Sequence, residues 1–419
     1  MKTTKQNFHL GIANGVLYNT AESLMDPTLV LVTFLSNLTN SPLLLGLVVP
    51  IRDAAWALPQ LWFSSYMQNK PHKISVYRQL SLIRIFAWAS LAVVINLIQQ
   101  PQTLLVAFWV TYVISSLLNG LGGLPFLEVV GKTIPSNKRG EFFAWRLGLG
   151  GLGGILSSIV VQHVLGSHSS LKYPSNYGFL SFLFFILASI SLLIFNLVEE
   201  EPNNLDILPR TSFAEQISRS KHILQTDSIY RKYLSAYACL LLGNSATPFF
   251  ALFVQQITGT SKIMVGIYLA VLTGTSLFAN LALGKISNKL RYSRVMALSA
   301  WAGIAMVIFV LLLVILLNPL KITGTLATIW LIPVFILLGI RNSAIGISGN
   351  SLLLEVAPPE ERSIYVGLTN TLLGIVLIIT GLSGLILQFS GFLTLILFAL
   401  AMHISGLVNI IHYENALNK

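Results

Sequence analysis

Six charged side chains sit deep within long apolar stretches of this 419-residue sequence: Glu22, Asp26, Arg52, Asp53, Arg84 and Arg341. Ionised groups are costly in an apolar medium. Where a chain keeps them, they face a wet cavity, pair with one another, or handle protons and substrates. These residue types permit all three. A carboxyl gains or loses a proton as its surroundings change, because burial favours the neutral acid and a nearby cation the ionised one. A guanidinium holds a carboxylate or another oxyanion through a planar fork of donors. The three acids and three bases cancel, so mutual pairing can neutralise all six without a charged substrate.

The elements that must position them are membrane-spanning helices. Hydrophobic residues make up 54% of the chain and charged residues only 10%, against roughly 25% charged in soluble domains. Mean hydropathy is +0.75. Exposed to water, such a surface would carry apolar patches beyond what soluble monomers tolerate, so lipid is the expected solvent. Apolar runs of about 20 residues or more fall at 9–37, 42–68, 73–98, 102–131, 139–166 and 176–198, then at 230–257, 262–284, 293–318, 325–354, 362–388 and 391–413.

The net charge of +11 would suggest nucleic acid if the cations shared one soluble face, but they cluster in the short breaks between apolar runs. With the N-terminus inside, nineteen of the 26 cations fall in inner loops and tails, three in outer loops, and four (Arg52, Arg84, Arg146 and Arg341) inside spans. That bias predicts cytoplasmic termini and an even number of spans. The single cysteine, Cys239, excludes an intrachain disulfide, and no cleavable leader is expected.

The two halves repeat each other. Asp26-Pro27 in span one matches Thr247-Pro248 in span seven, TNSPLLLG from Thr39 matches TGTSKIMVG from Thr258, and IPSNKRGEFFAW from Ile134 matches APPEERSIYVGL from Ala357. An offset of about 220 residues at both ends of a half implies parallel duplication, one of the known transporter plans. The expected fold is an all-α membrane protein of twelve transmembrane helices in two six-helix repeats. Its parts are a first bundle over 1–199, a cytoplasmic linker over 200–228 and a second bundle over 229–419. Phe213, Ile217 and Leu224 recur at helical spacing in the linker, which fits either a short helix on the membrane face or a solvated connection.

On this architecture and these repeats the chain resembles a major facilitator superfamily transporter. The loop after span two, SSYMQNKPHKIS from Ser64, has the cations of that family's loop signature but neither its Asp nor its Gly. The loop after span eight, GKISNKLRYSR from Gly284, keeps the Gly and again lacks the Asp. The resemblance is therefore to a divergent branch, and gating contacts assigned to that Asp are not carried over. GLGGLGGILSS from Gly148 is similar to the Gly-rich span of drug/proton antiporters without its proline, and close helix packing explains it more simply.

Depth sorts the charges. Asp26 lies about 16 Å below the outer end of its span and Arg52 about 15 Å below the outer end of the next, so the two are level on antiparallel neighbours. Arg341, about 24 Å from the outer end of span ten, is level with Glu22. The resemblance implies that spans one and ten border a central cavity and that span three is peripheral. Asp26 and Glu22 are then candidates for proton coupling, with a static Asp26–Arg52 pair as the structural alternative. Arg52, Trp56, Arg341, Asn342 and Asn350 are candidates for the substrate cavity, and Asp53 with Arg84 for a structural ion pair. Pro27 and Pro248 are expected to kink spans one and seven. Glu128, Arg139, Glu355 and Arg362 stand near inner helix ends in both halves, either as an inner-gate network or as solvated ends. His163 and His168 lack companions, so no metal site is expected, and no cofactor.

The function that follows is secondary transport of a small solute by alternating access, proton-coupled, with efflux of neutral or amphipathic compounds favoured. A non-transporting sensor or assembly factor on the same fold is the alternative, since fold alone does not fix function. ATP-driven pumping within this chain is excluded by the missing phosphate-binding loop, and no catalytic constellation suggests an enzyme. A monomer in a bacterial inner membrane is expected, with a small-molecule substrate, protons and lipid as its partners and no nucleic acid.

Overall fold

Pro27 decides the shape of the first span. It has no N–H to return to the preceding turn, and its ring excludes a straight α-helix, so the helix Lys2–Leu24 stops short of it. Asp26 restarts the chain. Its Oδ1 accepts the Leu29 N–H at 2.8 Å, and its carbonyl accepts the N–H groups of Val30 at 2.9 Å and Leu31 at 3.0 Å. The bond from Leu31 reaches five residues back, so Pro27–Leu31 winds as a π turn before Val32–Leu35 resumes α geometry. Such turns recur at functional positions. At the matching place in the second half, a 3₁₀ turn over Asn244–Ala246 separates Ser228–Gly243 from Thr247–Thr258. The Asn244 N–H turns to the carbonyls of Leu241 and Leu242, which leaves Leu240 O without its α-helical donor.

The computed structural model describes residues 2–59, 63, 67, 72–166, 169–201, 213–258, 264–286, 291–317, 329–358 and 361–417. Ten helices among them are long and apolar enough to cross a bilayer. The first span, with its π turn, and the second, described as Pro42–Ala57, bring the number to the expected twelve. Gly391 divides the last helical stretch, Ser383–Leu417, into the end of span eleven and span twelve. Its φ of 82° lies in the left-handed region that glycine enters without penalty. Residues 202–212 of the expected linker lie outside the described residues. Its far end forms the helix Phe213–Thr226, with Ile223 buried in one apolar cluster with Tyr230, Tyr233 and Tyr365.

Large apolar side chains cover the exterior: Phe389 is 80% exposed, Phe86 74% and Leu97 72%. In lipid these positions cost nothing, and helix association depends instead on close packing and interhelical polar bonds. Asn14 supplies one such bond. Its Nδ2 donates to Ser191 O at 2.9 Å and to Ser191 Oγ at 2.8 Å, and Ser191 Oγ donates back to Asn14 O, tying span one to span six.

Spans two and eleven, and spans five and eight, cross between the halves. Glycines set how close they come. A Cβ on Gly384 would stand 2.1 Å from Pro42 O and 2.6 Å from Leu43 Cα, and one on Gly266 would stand 2.6 Å from Gln162 Cα. Both approaches are backbone against backbone at the expected outer end. Toward the expected inner end, Gly131, Gly148 and Gly346 would meet nothing within 4 Å. The halves therefore meet backbone to backbone at the expected outer end, and below it they meet through side chains, Leu277 against Gly151 and Leu58 against Gly374.

Candidate functional site

The π turn aims Asp26, and one turn earlier Glu22, at the seam between the halves. From span two, Arg52 Nη1 donates to Glu22 Oε2 at 2.9 Å, and its Nε donates to Asp53 Oδ1 at 3.4 Å. The static Asp26–Arg52 pair, the structural alternative, is not among the ion pairs of the described residues. Asp26 commits Oδ1 to capping the turn after Pro27, and the long arginine side chain reaches one turn past its own level to Glu22. The Asp53–Arg84 pair also gives way. Asp53 takes Arg52, while Arg84 Nε donates to Asn119 Oδ1 at 3.0 Å and its guanidinium lies 5.0 Å from the centre of the Trp88 ring.

The second half contributes Arg341, which is 1% exposed. Its Nε donates to His403 Nε2 at 3.1 Å, its Nη1 to Asn342 Oδ1 at 3.0 Å, and its Nη2 to Leu240 O, the carbonyl freed by the 3₁₀ turn. His403 Nδ1 meets Ala399 O at 2.8 Å. A carbonyl only accepts and a guanidinium only donates, so His403 carries its proton on Nδ1 and stands neutral with Nε2 as acceptor. The ring fits because Gly243 and Gly303 flank it. A Cβ on either would lie 2.3 Å or 1.9 Å from an imidazole atom. Among the described residues no carboxylate pairs with Arg341.

Two confluent cavities lie between the halves, of about 360 and 310 Å³, and Asp26 and Arg52 line both. The first adds Tyr18, Glu22 and Gly150 from one half and Thr273 and Asn280 from the other. The second adds Asp53, Asn244, Thr247, Arg341 and Asn342, with Leu272, Ile345 and Leu377 as apolar wall. Asn350 lines neither and is exposed nearer the inner end of span ten. Trp56 leans instead into a side cavity of the first half beside Gly123. Of the inner-gate candidates, Arg139 serves its own half, donating through Nε to Ile134 O at 3.0 Å and through Nη2 to Gly131 O. Glu128 and Glu355 are exposed, and the Arg362 side chain lies outside the described residues.

Sequence reasoning did not single out His403 or Asn244, and it named Thr247 only for the repeat. A histidine in the middle of an apolar run was a usable signal for the first, since ionisable residues inside membranes are rare. Nothing in one dimension places it against Arg341. Among the described residues no group of three or more His, Cys, Asp or Glu could hold a metal ion.

Two helical bundles that close on each other at one end and enclose a charged cavity at mid-depth have the build of an alternating-access transporter. The family model of the Major Facilitator Superfamily matches residues 12–381, and the chain belongs to that superfamily. Its fold is similar to that of a mutant form of the nucleoside transporter NupG, with a TM-score of 0.73, 13% identity, and coverage of 98% of this chain and 99% of the other. It is also similar to the D-xylose-proton symporter, with a TM-score of 0.72, 13% identity, and coverage of 98% and 97%. A POT family transporter bound to 5-aminolevulinic acid gives a TM-score of 0.72, 10% identity, and coverage of 99% and 96%. No curated protein matches the sequence. The chain is a membrane transport protein of the major facilitator type.

Proposed function

We propose that the protein is a proton-coupled secondary transporter that moves a small neutral or amphipathic solute outward across a bacterial inner membrane. It works as a monomer with both termini in the cytoplasm. The observation that carries this reading is the balance of charge around the central cavity. Glu22, Asp26 and Asp53 face it with Arg52 and Arg341, so three carboxylates meet two guanidiniums and one proton makes the set neutral. A neutral set crosses the closed state at lower desolvation cost than a charged one. Glu22 and Asp53 are each held by Arg52, whereas among the described residues Asp26 forms no ion pair, which favours Asp26 as the proton carrier and Glu22 as its relay.

In this scheme the bundles over 1–199 and 229–419 rock as units about the linker over 200–228. The outer seal at Gly384 and Gly266 holds while the inner side admits solute. Leu272, Ile345 and Leu377 supply apolar wall, and Asn244, Asn342 and Thr380 supply hydrogen bonds. This lining suits a solute with an apolar body and few polar groups. Two of the fold relatives are named for nucleosides and for D-xylose with protons. At their identity they support the fold, and the coupling rests on the carboxyls.

The test is solute-driven proton movement in proteoliposomes, comparing wild type, Asp26→Asn and Glu22→Gln across a panel of neutral and amphipathic compounds. Asp26→Asn keeps an oxygen to cap Leu29, so its fold is retained. Solute exchange that persists in Asp26→Asn without proton movement is the expected result. Full coupling in both well-folded variants would remove these carboxyls from the mechanism.

A further inference from the structure

A second cavity of about 260 Å³ lies inside the first bundle, walled by Arg84 and Arg146 together with Tyr77, Trp56, Phe126 and Leu192. Its lining contains two guanidiniums and no carboxylate. Arg84 lies about 17 Å from the inner end of span three and Arg146 about 11 Å from that of span five, so both stand within their spans. Arg84 is 6% exposed. Among the described residues neither arginine forms an ion pair. Arg84 spends one N–H on Asn119 Oδ1 and lies over the Trp88 ring. Arg146 donates through Nη1 to Gly11 O and to Asn14 Oδ1, and its guanidinium lies 4.6 Å from the centre of the Phe126 ring. Carbonyl oxygens and ring faces orient a guanidinium, but they do not cancel its charge. Span two, whose inner part is 58–71, carries no Asp or Glu there to supply a counter-charge.

Two like charges inside a bundle, with no acid in the cavity lining, are expensive, and donors of both arginines remain for a ligand. We propose that this cavity binds the oxyanion of an anionic amphiphile. The phosphate or carboxylate head is held between Arg84 and Arg146, and the apolar body lies along Trp56, Phe126 and Leu192. The site is separate from the central cavity, although Tyr18 forms part of both walls. The proposal stands whether or not the central site couples to protons.

The experiment uses the full-length protein in neutral maltoside micelles, titrated with dodecyl phosphate, inorganic phosphate and dodecanol. Native mass spectrometry counts bound ligand and Tm is followed in parallel. One dodecyl phosphate is expected to bind saturably and raise Tm. Charge-assisted hydrogen bonds of this kind make affinity about tenfold weaker in Arg146→Gln and again in Arg84→Gln, with most of it kept in Arg146→Lys. Arg341→Gln, in the central cavity, leaves the affinity unchanged. If the glutamine variants fold poorly, the wild-type ligand series decides. Equal binding of dodecanol overturns the role of the oxyanion, and inorganic phosphate binding as tightly as dodecyl phosphate overturns the role of the apolar body. Loss of binding in Arg341→Gln but not in Arg146→Gln overturns the location.

Discussion

Adding one methyl group to Gly384 should open the outer seal. An alanine Cβ there would stand 2.1 Å from Pro42 O, 2.4 Å from Pro42 C and 2.6 Å from Leu43 Cα. All three are main-chain atoms, so no rotamer change relieves the contact. Ordinary contact begins near 3.4 Å, which requires spans two and eleven to part by about 1.3 Å at that level. Overpacking of this order costs about 1–3 kcal/mol. Only the outward-closed form bears that cost, so the closed-to-open ratio should fall by about 5-fold to 150-fold. The assay replaces Cys239 with serine, introduces Thr247→Cys in the cavity wall, and follows alkylation by an impermeant maleimide added from the outer side. The Gly384→Ala protein should label about tenfold faster or more. Gly131→Ala, whose Cβ meets nothing within 4 Å, is the matched control. Unchanged labelling in a folded Gly384→Ala protein, or an equal rise in the control, would refute the reasoning.

Arg52→Gln should abolish proton-coupled transport while lowering stability by less than about 1 kcal/mol, because the pair it breaks is 36% and 26% exposed and screened by water. Transport assays and Tm measured together separate the two effects, and a large fall in Tm would recast the arginine as structural. His403→Ala should lower stability by about 1–3 kcal/mol through the loss of the buried acceptor for Arg341. Gly303→Ala should produce a loss of the same order by crowding the ring, and an unchanged Tm in both would count against the arrangement. Asp26→Ala and Asp26→Asn should share one transport defect but differ in stability by about 1 kcal/mol, the value of the helix cap that asparagine retains. Equal Tm values would show that the cap carries no weight.

Hydropathy and the repeat made the spans legible, because lipid demands long apolar helices and duplication preserves their order. The six deep charges were equally plain, and five of them, all but Arg84, line the central cavities. Their pairing was not. Counting 1.5 Å per residue places Asp26 and Arg52 level, but that count assumes an unbroken helix, and the π turn after Asp26 diverts its carboxylate to the backbone. The reach of arginine then selects Glu22. Arg84 went astray for a related reason: an amide on span four and the ring of Trp88 satisfy it, and neither is a charge that a tally of acids and bases reveals. His403 depends on three other spans at once, through Arg341, Gly243 and Gly303, and no local pattern encodes such a meeting.

The breaks beside Pro27 and Pro248 stand at matching places of the repeat, yet they differ in polarity. In the first half the interruption acquired a side-chain anion that feeds its own backbone donors. In the second it left a main-chain oxygen unclaimed, and a guanidinium from another helix settled on it. The bends are interchangeable as joints but not as electrodes. A tandem of two first halves would keep both joints, gather carboxylates on both walls, and set only two copies of Arg52 against them. The two bends thus give the cavity an electrical asymmetry between walls that share one architecture.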